Sequence, residues 1–300
     1  MSATREKNRQ ESLSMARIIR AHRKRLGLEQ RDVASILDIG QEKLSRIENG
    51  RQIMPHVVWH SLCEEWKLPY DCFRTQVVDL GSAVSLSNMS KAGKFKIPKA
   101  YSRNQTTSVR IIRLFVDYGV RKIGEKSMNW FLMQSGFDPD YFVHSNNQVN
   151  IEFYFDLAAY LMERTNLRGE IRDVFAPVMG PIPHGCLNQF YESEIVDAFS
   201  ALRSFIQKQN FYDINFRFEI DDERKDRLSV SATPQIYLLQ KRSNFAEKHL
   251  ESFTCSCTKE FLKSFSRYGQ NPGGSLEIEH SANDCFFHGS DRCIFVATSA

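Results

Sequence analysis

Leu28-Glu29-Gln30-Arg31-Asp32-Val33-Ala34, then Leu37-Asp38-Ile39-Gly40-Gln41, then Leu44-Ser45-Arg46-Ile47-Glu48-Asn49-Gly50: this stretch decides the fold of the first quarter of the chain. Val33, Ala34 and Leu37 recur at i, i+1, i+4, and Leu44 and Ile47 at i, i+3, so each of two short helices carries one apolar stripe. Ala34 is small where two helices must cross closely, and Gly40 suits a tight turn at positive φ. Opposite Leu44 and Ile47 stand Gln41, Glu42, Lys43, Ser45 and Arg46, groups able to hydrogen-bond base edges and phosphates. Upstream, Ile18, Ile19, Ala21 and Leu26 sketch an earlier helix. Downstream, Val57, Val58, Leu62, Cys63 and Trp66 sketch a later one, opened by Pro55.

Taken together, Gln30, Ala34, Ser45 to Gly50 and Pro55 make residues 15–75 resemble the phage-repressor or Cro type of helix-turn-helix, the xenobiotic-response-element family. The resemblance implies double-stranded DNA as a partner. It places Gln30, Gln41, Glu42 and Lys43 at the DNA, with Ser45 and Arg46 following on the same helix and Arg51 near a phosphate. Gly40 stands where that family carries a small polar residue, so the recognition helix is expected to be capped weakly.

Charge agrees with this placement. Up to Ile53 there are 12 Lys and Arg against 7 Asp and Glu, whereas the whole 300-residue chain carries only +4. Basic charge is therefore concentrated on the first module, and Arg20, Arg23, Lys24 and Arg25 are either backbone-phosphate contacts or a solvated face. No apolar run approaches the ~18 residues of a membrane span, and residues 1–14 form a polar arm without a signal core, so a cytoplasmic, bacterial-type protein is expected. Seven cysteines, an odd number, argue against a disulfide framework.

Residues 76–104 read as a Ser-, Gly- and Lys-rich linker, and 105–300 as an α+β body. Helical stripes run through Val109–Ile123, Ile151–Met162 and Ile195–Ile206. The period then changes. Ile214, Phe216, Phe218 and Ile220 alternate with polar residues, and Leu228 to Ser231, Leu276 to His280 and Cys293 to Val296 read as further strands around a helix through Glu260–Tyr268. The fold class is thus an all-α helix-turn-helix domain followed by an α+β domain with antiparallel hairpins.

Four of the seven cysteines fall at 255, 257, 285 and 293. The run from Cys285 through Gly289 to Cys293 and Phe295 resembles the closing hairpin of 4-vinyl reductase-like sensor domains, over residues 210–300. That resemblance implies a pocket for a small hydrophobic molecule. It also implies, in aromatic-sensing members, a zinc held by an upstream cysteine, an acid three residues before the first hairpin cysteine, and the hairpin pair. Here residue 282 is alanine, so His280 or Asp284 must complete the set. His280 shares the inward strand face with Leu276 and Ile278. Cys255 and Cys257 cannot both face one site on a helix; Cys257 is taken as the ligand, giving Cys257, His280, Cys285 and Cys293 for zinc. Buried structural cysteines and a redox-responsive pair stay open beside that reading.

The expectation is a transcription regulator, repressor-like in its head, that pairs as a homodimer on two half-sites and responds to a small apolar or aromatic effector. A metal- or thiol-redox sensor centred on Cys285 and Cys293 is the alternative. No Ser-His-Asp arrangement, phosphate-cradling loop or carboxylate cluster points to an enzyme, and His184 beside Gly185-Cys186 reads as part of a rigid loop.

Overall fold

The computed structural model describes residues 3–66, 68, 70, 72–75, 95–175, 198–207, 215–224, 226–240, 250–265, 276–281 and 283–299. The 76–94 part of the linker, the loop with His184 and Cys186, the helix start at Ile195, the strand residue Ile214 and Ala282 lie outside them. The chain divides into two compact units. Among the described residues the first holds everything up to Lys99 together with Asn129–Gln148, and the second holds the rest.

In the first unit, α1 spans Ala3–Leu26, α2 Gln30–Ile36, α3 Gln41–Glu48, α4 His56–Trp66 and α5 Cys72–Thr75. The expected arm over 1–14 is helical from Ala3 and continuous with α1. Its Arg, Glu, Lys, Gln and Leu residues favour helix, and neither Gly nor Pro interrupts them. Three helices end alike: Leu28 N–H bonds Arg23 C=O, Ile39 N–H bonds Ala34 C=O, and Arg51 N–H bonds Arg46 C=O. This closure needs one left-handed residue, here Gly27, Asp38 and Gly50. The turn between α2 and α3 therefore takes its positive φ (50°) at Asp38, not at Gly40 as expected, because Asp also tolerates that region. Gly40 instead has φ −66° and caps α3 without a side-chain bond. Ile18, Ile19, Val33, Leu44, Ile47, Trp59 and Leu62 are buried in one core, which Val143 joins from the later segment.

That segment grips the second half of α1. Arg20 donates to both Asp140 oxygens at 2.9 and 3.1 Å, and Lys24 reaches Asp138 at 2.7 Å and Asp140 at 2.8 Å. Arg25 bonds Asn147, and His22 Nδ1 meets His144 Nε2 at 3.1 Å. Of the four cations expected to touch phosphate or face solvent, three are thus committed here, and Arg23 is held by Glu48. Burial pushes the Asp140 carboxyl up, but Arg20 and Lys24 outweigh it and hold it below the usual carboxylate range.

In the second unit, β1 (Gln105–Ser108) pairs with β2 (Gln148–Asn150). Two helices follow β1: α6, Val109–Ile123, and α7, Glu125–Gln134, whose later half belongs to the first unit. Next come α8, Ile151–Arg164, α9, Ile171–Phe175, and α10, Ala198–Gln207. Ser108 and Asn150 cap α6 and α8 through their side chains. Then β3 (Phe216–Arg224) and β4 (Arg227–Pro234) form a hairpin, α11 covers Ile236–Gln240 and α12 Glu251–Phe265, and β5 (Leu276–His280) pairs with β6 (Cys293–Ser299). All strands of the larger sheet are antiparallel, in the order β3-β4-β6-β5, so the two expected hairpins fuse along β4 and β6. The expected fold class is the observed one. The last helix begins at Glu251, earlier than the apolar stripe suggests, and so carries both Cys255 and Cys257.

Candidate functional site

The DNA-facing candidates divide by commitment. On α3, Leu44 and Ile47 are wholly buried, while Gln41, Glu42 and Arg46 are exposed and Lys43 and Ser45 half-buried. Arg46 is braced by Glu42 at 3.1 Å and Gln52 at 3.2 Å, and the Ser45 carbonyl accepts from the Asn49 amide at 2.8 Å. Gln30, at the start of α2, is half-buried. Its amide donates to Glu48 at 2.8 Å, and Glu48 also takes both nitrogens of Arg23 at 2.8 and 3.0 Å. Glu48 is buried, so this three-residue network ties α1, the start of α2 and the end of α3 together. Arg51 is exposed just beyond α3.

The thiol candidates also separate. Cys255, His280, Cys285 and Cys293 bring one ligand atom each to within 4.8 Å of one another. Cys255 on α12 lies 3.4 Å from Cys285, and Cys285 lies 3.9 Å from Cys293 (Sγ to Sγ). Zinc–sulfur bonds of ~2.3 Å in a tetrahedron put sulfurs about 3.8 Å apart, so this spacing fits a zinc-sized ion. Buried His280 Nε2 has no hydrogen-bond partner, as a ligand atom reserved for a metal would. The helical member of the cluster is thus Cys255, not Cys257 as expected. Two residues apart on a helix means about 200° of rotation, and the sequence alone does not fix which of them faces the sheet. Asp284 stays outside the cluster, its exposed carboxylate accepting from the Ser281 hydroxyl at 2.9 Å. Among the thiols, Cys293 is held below the usual thiol range by the hydrogen bond from Cys255, against burial, with further help from His280 and from Phe286 N–H at 3.3 Å.

Cys257 faces the other way, into a cavity of about 80 Å³. Phe115, Tyr154, Phe175, Phe216, Phe218 and Phe261 supply aromatic walls, and Thr107, Thr254 and Thr258 the sparse hydroxyls. Burial drives the Cys257 thiol up, so it is a neutral lining group. A cavity of ~150 Å³ takes a benzene ring; a single-ring ligand here therefore requires the aromatic side chains to give slightly. Sequence reasoning did not find this site, because α6, α8, β3 and α12 each contribute only residues that read as ordinary core.

A family model for the helix-turn-helix domain matches residues 14–65, which carry the second half of α1, α2, α3 and most of α4. The chain thus contains a DNA-binding helix-turn-helix domain. No curated protein matches the chain. Among solved structures it is similar to a mutant H-NOX protein from K. algicida in the unliganded Fe(II) state, with TM-score 0.43 and 10% identity over 65% of this chain and 97% of that one. It is also similar to the H-NOX domain of Shewanella oneidensis in the Fe(II)CO state, with TM-score 0.40 and 12% identity over 65% of this chain and 99% of that one. Among the described residues no helix is long and apolar enough to cross a membrane.

Proposed function

We propose that this chain is a transcription regulator of the phage-repressor type that reads operator DNA through α3 as a homodimer. Its second unit, in this reading, is a 4-vinyl reductase-like sensor for a small apolar or aromatic molecule, acting by binding and not by turnover. The observation that carries the sensing half is the aromatic cavity against α12, a concave apolar site with few polar groups. Zinc is proposed as a structural ion held by Cys255, His280, Cys285 and Cys293, stiffening the helix that forms the cavity wall. The effector would change operator affinity only by binding one arrangement of the dimer better than another.

The test is native mass spectrometry with elemental analysis of full-length protein purified without chelator, followed by operator selection from random duplexes. The expected outcome is about one zinc per chain in a dimer, and a selected sequence whose recognition Arg46→Ala weakens by about 1–3 kcal/mol at one position. A metal-free monomer that selects no sequence would sink the reading. One observation favours a second reading. The 3.4 Å approach of Cys255 and Cys285 suits a thiol pair oxidised by hydrogen peroxide, the two thiols giving a disulfide and the hydrogen peroxide two waters. A metal-free protein losing two hydrogens' mass on peroxide treatment would favour it.

A further inference from the structure

The match to the helix-turn-helix domain begins at residue 14, yet α1 begins at Ala3. The added turns are packed in place. The Ser12 hydroxyl accepts from Met54 N–H at 2.8 Å, and Leu13 lies so close over Gly50 that a Cβ there would come within 2.5 Å of it. Both contacts lay the first half of α1 along the loop that leaves the recognition helix α3. Between them opens a cleft of about 300 Å³, with Glu6, Arg9 and Leu13 on one wall and Gly50, Arg51 and Ile53 on the other.

Most arginines of this unit are already engaged, Arg31 by Glu29 and Asp32 and Arg46 by Glu42. Arg20, Arg23, Lys24 and Arg25 on α1 are committed to Asp138, Asp140, Glu48 and Asn147. Arg9 and Arg51 are exposed and, among the described residues, neither guanidinium has an ion-pair or hydrogen-bond partner. Their backbones are nonetheless fixed, Arg9 within a helix and Arg51 by its N–H bond to Arg46 C=O at 2.8 Å. The carboxylate on the same wall, Glu6, accepts from Gln10 at 3.3 Å, not from Arg9. Two guanidinium groups on rigid supports and without acids of their own suit phosphate, whose oxygens match the planar fork. When a recognition helix lies in the major groove, the segment at its exit borders the sugar-phosphate backbone.

We propose that Arg9 and Arg51 jointly clamp the DNA backbone beside the groove occupied by α3, making the N-terminal turns of α1 part of the nucleic-acid interface. The proposal rests on the reading that α3 enters DNA. Arg51 lies within the matched residues 14–65; what is added is Arg9, a backbone contact from outside them that carries no base specificity.

The test is fluorescence anisotropy of the full chain with a random-sequence duplex, titrated over a range of salt concentrations. Each phosphate contact contributes about 0.9 to the slope of log affinity against log salt. Arg9→Ala and Arg51→Ala are each expected to flatten that slope by about one, the double variant by about two, and Arg9→Lys to keep most of it. Because neither side chain has a partner among the described residues, thermal midpoints should stay at the wild-type value. An Arg9→Ala protein with the wild-type slope, beside an Arg51→Ala protein with a flatter one, would overturn the clamp. If wild-type protein shows no salt-dependent binding to any duplex, the DNA-reading assignment fails instead.

Discussion

Replacing Asp140 by asparagine removes one charge and leaves the shape of the side chain. Asp140 is only 3% exposed and accepts from Arg20 twice and from Lys24 once. Breaking a fully buried ion pair costs about 3–5 kcal/mol. Here both cations remain about one-third exposed and can rehydrate, and asparagine keeps one acceptor oxygen, so about 2 kcal/mol is the reasoned loss. A loss of that size, confined to the contact between α1 and residues 138–147, is about a 30-fold rise in local opening. Hydrogen exchange of the full-length Asp140→Asn protein should show it in peptides from both stretches, with the sheet of the second unit unaffected. Unchanged exchange in α1 would refute the argument, because it would mean the salt-bridged contact carries no stability.

The imidazole pair gives a pH dependence of known sign. Burial, then Arg25, holds His22 down to about 4 from an ordinary 6.5, so the unfolded chain takes up the proton first and stability is lost as pH falls from about 6.5 towards 4. His22 alone is worth about 3 kcal/mol over that window; burial holds its neighbour His144 down too, so thermal midpoints in a His22→Phe protein should lose the His22 share of the slope and keep a remainder of the same sign from His144. Gly50→Ala should cost on the order of 1–3 kcal/mol in denaturant unfolding, since Gly50 sits at φ 67° and an added Cβ strikes Leu13. A midpoint within error of wild type would show that neither the backbone nor Leu13 is under constraint.

The head was legible because each of its helices turns on local residues. Leu44 and Ile47 announce a stripe, and Ser45 to Gly50 a helix end. What the stripe does not reveal is which polar neighbour is spent internally, and so Gln30 and the Arg20–Arg25 run looked available when Glu48, Asp138, Asp140 and Asn147 had already claimed them. Those partners lie more than a hundred residues away, apart from Glu48, and nothing local marks them as such. The strands of the second unit declared themselves by alternation at Phe216–Ile220 and Leu276–His280, and the second of these put His280 on the inward face. The rotation of α12 was not legible, because Thr254-Cys255-Ser256-Cys257 offers small residues on every side, and only packing against the sheet decides that Cys255 meets Cys285. The cavity was invisible for a similar reason: an aromatic at a gap and an aromatic in a filled core are spelled alike.

The chain leaves the first unit, builds α6, returns for Asn129–Gln148, and leaves again into α8. A head excised after α5 would thus lose Val143 from its core and leave Arg20, Lys24, Arg25 and His22 facing solvent across a surface shaped to be covered. Modules joined end to end can be cut apart and exchanged at their junction, but these two are stitched by a double crossing. Synthesis must reach Gln148 before the reading head is complete, so the head finishes folding only after part of its companion has been made. Swapping this head for another by a single splice would strand a folded piece of one protein inside the other.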